Sequence, residues 1–413
     1  HAGARRTDDG RLLACLRDNA EALRACGTNV PEPESYHRKL RDLIQTAQQS
    51  ALPPDTRAAM AEVIHQVEKP ADHPEPPTHK LGVLLLNLGT PEGTDYFSMR
   101  RYLKEFLSDR RVIDYNPIFW QLLLNGVILM TRPKKSGRAY HTIWNHEQNE
   151  SPLKTITRDQ AQQVHDILSQ RHGEDIEVDW AMRYGYPRTE EGIRDLQEKG
   201  CTRILLLALY PQYSAPTTAT AYDHAFRTLM KLRWQPTIRT APCYHDEPHY
   251  IDAVTESIRE HLAQLDWTPE VLVTSFHGLP KRYLLNGDPY HCQCAKTSRL
   301  IRERLGWSPD TVKLSFQSRF GPEEWLKPYT DELIEELAKQ GVKRMAIAAP
   351  GFSADCLETL EELNVQGREA FEAAGGEHFT YIPCLNASDR GVRLIADLAS
   401  RELCGWVAPA EST

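Results

Sequence analysis

The chain has 413 residues, 40% hydrophobic and 26% charged, with a net charge of −8 and a pI near 6.1. This is the balance of a globular protein with material for two or three domains, and the acidic sign excludes nucleic acid as the main partner, because phosphate binding needs a basic footprint. The nine scattered cysteines suit a reducing compartment better than a disulfide framework. Only Cys292-Gln-Cys294 is close-spaced, and a lone C-x-C pair is a weak metal signal.

Residues 1–80 read as an N-terminal extension. Asp18–Ala25 and Lys39–Ile44 are polar and helix-prone, and the proline-rich stretch Lys69–Thr78 reads as an extended, semi-rigid linker. The sequence opens on His1, and its first methionine is Met60, so Met60 is expected to be the natural start and residues 1–59 to be dispensable. Asp8, Asp9 and Glu21 interrupt any signal-peptide pattern. The nearest approach to a spanning helix, Pro117–Met130, is broken by Gln121, Asn125 and Gly126. That stretch is expected to be a buried or interfacial segment, or an apolar pocket wall, in a cytoplasmic protein.

From Leu81 the pattern alternates. Strand-like runs fall at Val83–Leu86, Ile176–Trp180, Ile204–Leu209, Thr237–Ala241, Val271–Phe276, Val312–Phe316, Met345–Ala349 and Phe379–Pro383, the first stopping at Leu86 with Asn87 opening its turn. Amphipathic stretches lie between them, such as Tyr250–Leu262, Thr297–Leu305, Pro328–Ala338 and Leu357–Ala373. Alternating strand and helix predicts an α/β fold with parallel sheets covered on both faces. The length exceeds one comfortable core and predicts two lobes with a cleft between them. No G-x-G-x-x-G or Walker loop is present, so a nucleotide cofactor has no support.

Turns rich in polar and aromatic groups follow the strand ends. They are Asn87–Glu92, Met182–Pro187, Tyr210–Ser214, Ser275–Gly278, Gln317–Pro322 leading to Trp325, and Pro350–Glu358. Six such turns in phase suggest one wall of a ligand cleft at the carboxyl ends of the strands. His277 ends an apolar run just before a glycine and a proline; it either satisfies a backbone group in the turn or faces the cleft. Asp355, Glu358 and Glu362, at i, i+3 and i+7, would share one helical stripe. That stripe is a solvated acidic face unless a cation turns its repulsion into a site. Histidine with carboxylates suits a borderline divalent ion such as Fe²⁺ and is too sparse for structural zinc.

The segments TSFHGLP, YPQYS, LNLGTPEG, FQSRFGPEEWL and PGFSADCLETLEE together closely resemble ferrochelatases, which insert ferrous iron into a porphyrin, and they fall in the family's order along the chain. The resemblance runs from about Leu81 to about Trp406. It implies two Rossmann-like lobes with four-stranded parallel sheets, the first formed by residues 81–250 with a C-terminal helix at 388–406 and the second by residues 251–387. It also implies His277 and Glu358 as active-site pair and expected iron ligands, and Arg183 and Tyr184 on the opposite side of the pocket. Trp325 would lie against the macrocycle, Arg132, Tyr140 and Ser151 would hold the propionates, and Tyr213 and Ser214 would line the pocket. Residues 117–130 would form an apolar lip, with peripheral membrane contact.

The chain departs from some family members at Cys356, where they carry histidine. Its C-terminal region offers only Cys404, so no [2Fe–2S] cluster and no tightly bound cofactor are expected. Leu88 stands where coproporphyrin-specific members tend to carry tyrosine, which favours protoporphyrin IX as the partner of Fe²⁺. The competing readings are a coproporphyrin III ferrochelatase, a cobalt chelatase of related fold, and a non-catalytic tetrapyrrole carrier.

Overall fold

A computed structural model describes residues 79–407 apart from residue 174. The expectations for Asp18–Ala25, Lys39–Ile44, the linker and the Met60 start lie outside the described residues. All eight strands form where the apolar runs fall, in two parallel sheets. The first holds β1 (Lys80–Gly89), β2 (Ile176–Tyr184), β3 (Cys201–Ala208) and β4 (Thr237–Thr240) in the order β2-β1-β3-β4. The second holds β5 (Val271–His277), β6 (Val312–Gln317), β7 (Arg344–Ala348) and β8 (His378–Ile382) in the order β6-β5-β7-β8. Each sheet therefore places its first strand inside, where it is paired on both edges.

Alternation of side chains divides the strand residues between the two faces of each sheet. On one face of the first sheet, Val83, Leu85, Leu205 and Leu207 meet α4 (Pro152–His172) and α12 (Asp389–Glu402). On the other, Leu84, Leu86, Ile204 and Leu206 meet α5 (Thr189–Glu198) and α6 (Thr220–Leu229). The second sheet repeats this arrangement. Leu272 and Ala346 face α7 (Pro248–Leu262) and α9 (Tyr290–Leu305), while Val273, Met345 and Ile347 face α10 (Thr330–Lys339) and Phe371 of α11 (Arg368–Ala373). Each fully buried Leu or Ile contributes about 1.5–3 kcal/mol, so both sheets are anchored through both faces.

β1 does not stop at Leu86. It continues through Asn87 and Gly89, which pair with Met182 and Tyr184 of β2. The continuation requires glycine at position 89, where φ is +113° and a Cβ would lie 1.8 Å from the Tyr184 carbonyl oxygen. The polar turn thus begins later and closer to the second lobe than a propensity argument suggests.

Residues 92–143 form a cap beside this strand end. α1 (Tyr96–Leu107) is N-capped by Asp95, whose carboxylate accepts from the Phe97 and Ser98 N–H groups. α2 (Pro117–Leu123) then passes through a wider π-wound turn, Leu124–Ile128, into α3 (Leu129–Ile143). A second π-wound turn, Ala215–Ala219, leads into α6, and a third, Glu358–Gly367, leads into α11.

The third π turn revises the acidic stripe. Asp355 precedes the helix, whose winding beyond it is i→i+5, so Asp355 stands apart from Glu358 and Glu362, which lie about one wide turn from each other. Asp355 is buried and accepts hydrogen bonds from the Tyr381 hydroxyl at 2.5 Å, Asn386 Nδ2 at 2.6 Å and Thr359 Oγ1 at 2.9 Å. It ties the start of this helix to the end of β8 and serves the framework. Asp355→Ala leaves those donors unsatisfied and should cost on the order of 3 kcal/mol; a denaturant midpoint unchanged from wild type would contradict this role.

Candidate active site

The carboxyl ends of β1, β3, β5 and β7 open on one cavity, where open α/β sheets place their ligands. Its empty space is about 820 Å³, counting the part open to solvent. Asn87 to Gly89 end β1 and Thr90 follows it, Tyr210 and Gln212 follow β3, His277 ends β5, and Gly351 to Ala354 follow β7. Tyr102 of α1, Tyr140 of α3 and Ser151 at the start of α4 close the first-lobe side, and Glu358 enters from the π-wound helix.

His277 is half-buried, and its Nδ1 lies 2.7 Å from the Gly278 carbonyl oxygen. A carbonyl only accepts, so Nδ1 carries the proton and Nε2 keeps its lone pair. The turn that follows is held tightly. Gly278 N–H donates to the Gln317 carbonyl at 2.8 Å, and a Cβ on Gly278 would meet that oxygen at 2.8 Å and the Trp325 ring at 3.0 Å. Of the two roles open to His277, the structure shows both: one ring nitrogen satisfies the turn and the residue lines the cavity.

Glu358 lies among groups that stay neutral. Burial, followed by the charge of Glu358, pushes the Cys356 thiol well above its ordinary value, and the same two causes push up the Tyr140 phenol. Across the second lobe, Gln317 accepts from Ser275 Oγ at 2.7 Å and donates from Nε2 to the Glu358 carbonyl at 2.8 Å. The carboxylate of Glu362 stands close enough to feel the charges of both His277 and Glu358, and burial raises its carboxyl above the ordinary range. Glu362 is not among the residues lining the cavity.

Of the residues singled out in the sequence, His277, Glu358, Tyr140 and Ser151 meet at the cavity. Ser151 also caps α4, accepting from Lys154 N–H at 3.3 Å. Tyr213 and Ser214 do not line it. The Tyr213 N–H is taken by Gln293, and Ser214 Oγ lies 2.6 Å from Thr217 Oγ1, so Tyr210, Gln212 and Thr217 are what that loop presents. Trp325 packs on Gly278 behind His277. Arg132 lies on α3 with its guanidinium 4.4 Å over the Phe320 ring, and no carboxylate pairs with it among the described residues.

Arg183 and Tyr184 are also directed elsewhere. Arg183 donates to Asp109 and, at 2.7 Å, to Thr220 Oγ1; the Tyr184 hydroxyl donates to Asp109 at 2.9 Å. Burial alone would raise the Asp109 carboxyl, but bonds from Thr220, Arg111 N–H, Arg183 and Tyr184 outweigh it and hold it below its ordinary value. Arg183 borders a separate basic concavity with Arg101, Lys104 and Arg110.

Two groups went unnoticed in the sequence. Thr90 Oγ1 and the Tyr210 hydroxyl are buried, line the cavity and have no hydrogen-bond partner. Orphaned buried hydroxyls are rare and point to a ligand that completes them. Both lie in polar turns that the sequence marks, but nothing in a single sequence tells which turn residue faces inward.

The ferrochelatase family profile matches residues 80–403. A ferrochelatase of Allorhizobium ampelinum is 57% identical over 338 residues, covering 82% of this chain and 98% of that protein. One of Rhodobacter capsulatus is 55% identical over 339 residues, covering 82% and 97%. Among solved structures, SirB from Bacillus subtilis with Fe³⁺ is 12% identical with a TM-score of 0.47, covering 79% of this chain and 97% of that one. With a profile spanning the whole α/β region and relatives matched nearly end to end, the chain belongs to the ferrochelatase family, the metal-inserting lyases that place ferrous iron in a porphyrin.

Proposed function

We propose that this cavity inserts Fe²⁺ into protoporphyrin IX to form protoheme, the closing step of heme biosynthesis. The observation that carries this reading is the meeting of the His277 imidazole and the Glu358 carboxylate at one cavity, fed by strand ends from both sheets. A tetrapyrrole carrier needs only the walls and has no use for a base with a free lone pair beside a carboxylate.

Insertion has three physical obstacles: a planar ring hides its nitrogen lone pairs, two pyrrole N–H protons must leave, and the ion must shed water. Contacts along the macrocycle can hold it bent, at roughly 1–5 kcal/mol of strain drawn from remote binding energy. His277 Nε2 has the lone pair to take a pyrrole proton, and its Nδ1–H···O=C bond keeps the ring aimed. Glu358 supplies a hard oxygen donor for the ion, and the neutral Tyr140 and Cys356 leave its charge uncompensated until the cation arrives. Balance then requires that the four ring nitrogens take Fe²⁺ as the second pyrrole proton passes to water or to the Glu358 carboxylate that gives up the ion. Thr90 and Tyr210 hydroxyls offer hydrogen bonds to the bound substrate.

Leu88 lines the cavity with an apolar side chain, which favours the vinyl-bearing protoporphyrin over the more heavily carboxylated coproporphyrin III. Arg132, half-buried with only an aromatic face for company, is the candidate propionate partner.

No helix among the described residues is long and apolar enough to cross a membrane. Ile118, Phe119, Leu122, Val127 and Met130 nevertheless stand exposed, from Val127 at 54% to Ile118 at 76%, along α2, the first π turn and the start of α3. This lip suits a peripheral contact with a lipid surface that delivers an apolar substrate.

His277→Ala and Glu358→Gln should each bind protoporphyrin as wild type does while losing at least about a hundredfold in turnover, read as porphyrin fluorescence lost on adding Fe²⁺ without oxygen. Wild-type turnover in either variant, or a wild-type preference for coproporphyrin III, would count against the assignment. Arg132→Ala should raise KM for protoporphyrin roughly tenfold with kcat little changed; an unaltered KM excludes the propionate role. Phe119→Ser/Leu122→Ser should lose co-flotation with lipid vesicles while keeping turnover on detergent-dispersed substrate, and retained flotation would refute the lip as the contact.

A further inference from the structure

Ser318 is the first residue after β6, and its backbone is left-handed, with φ +64°. A non-glycine residue held there is strained and persists only where its surroundings demand it. The demand is visible in its partners. Ser318 N–H donates to Glu362 Oε1 at 2.7 Å, and Ser318 Oγ donates to Glu362 Oε2 at 2.5 Å. One serine therefore grips both oxygens of a carboxylate through two donors, which a relaxed β or α backbone would point apart. Gln317 Nε2 adds a longer contact to Oε2 at 3.4 Å.

The gripped carboxylate sits one π-helical turn beyond Glu358, on a helix whose hydrogen bonds are looser than those of an α-helix. The neighbouring Gln317 stands directly across from His277 in the β5–β6 register and holds the Glu358 carbonyl. The dipeptide Gln317-Ser318 thus joins the strand carrying the histidine to the helix carrying the glutamate at two points. Gln317 fixes the backbone at the first turn, and Ser318 fixes the side chain of the next.

We infer that Ser318 is a positioning residue for metal insertion: its strained backbone aims two donors at Glu362 and so fixes the wide helix that presents Glu358 to His277. This rests on the reading of His277 and Glu358 given above. Ser318 touches no part of the cavity itself, since it is absent from the residues that line it. Its effect on rate must therefore pass through Glu362.

Three properties separate this role from a purely structural one. Ser318→Gly keeps the N–H and relaxes the left-handed φ, whereas Ser318→Ala keeps the N–H and retains the strain. The two variants should differ in thermal stability, with glycine the more stable, and yet share the same fall in kcat of tenfold or more, with KM for protoporphyrin within twofold of wild type. In the pair Ser318→Ala and Glu362→Gln, the double variant should be no slower than Glu362→Gln alone, because both remove one linkage. Activity that instead follows stability, with Ser318→Gly near wild-type kcat, overturns the inference. So does a raised KM with unchanged kcat, which would put Ser318 against the substrate, and so does additivity in the double variant. His277→Ala in the same assay separates the two levels. If it turns over normally, the site assignment fails; if it is inactive while the Ser318 and Glu362 effects add, only the role of Ser318 fails.

Discussion

A parallel sheet buried on both faces leaves its chain one place for polar chemistry, the ends of its strands. Both sheets here obey that constraint. Val83 to Leu86 and Val271 to Phe276 are buried along their length, with Thr274 and Ser275 as the polar residues within these runs, both in the carboxyl half of β5. β1 and β5 lie inside their sheets, and beyond Leu86 and Thr274 their ends stay laddered on one edge, to β2 and β6. The histidine that ends β5 and the Asn87-Leu88-Gly89 segment that ends β1 therefore sit on backbone still held in a ladder. Rigid support of this kind is what a site needs when it must hold a large flat ligand out of its preferred shape.

Polar groups around the cavity divide into those already satisfied and those waiting. Asp355, Asp109 and Glu362 spend their acceptors on neighbouring side chains and keep helices, strand ends and loops in register. Thr90 and Tyr210 hydroxyls have no such partner, and His277 has one ring nitrogen committed and one free. The division follows from energetics: an unpaired buried hydroxyl costs about 1–3 kcal/mol. A fold carries that cost where something outside the chain will offset it.

Much of this was legible in the sequence, because strands in a covered parallel sheet announce themselves as apolar runs ended by turn residues. All eight fell in place, and the end of β1 was misjudged by three residues because Asn87 and Gly89 follow a pairing partner rather than their own propensity. His277 and Glu358 were readable from resemblance, and their convergence is a matter of topology. What escaped was orientation. The stripe of Asp355, Glu358 and Glu362 assumed one helix with an α-helical period, whereas the helix is π-wound and starts after Asp355, which turns to the framework. Tyr213 and Tyr210 are chemically equal in a sequence, and only the path of the loop decides that the second one faces inward. Arg183 and Tyr184 were expected across the pocket, but Asp109, 74 residues before Arg183 and in no motif of the sequence reading, draws both away.

Iron has a strong taste for sulfur, and one thiol borders the cavity beside Glu358, the carboxylate proposed to receive the ion. A thiol competes for a metal only as its anion. Cys356 is denied that form twice over, by being shut away from water and by standing next to Glu358, and Cys384 is denied it by burial and by Asp355. On the proposed role of Glu358, the negative charge that would attract the cation also silences the ligand that would trap it, leaving the ion oxygen and nitrogen donors that can surrender it to the ring.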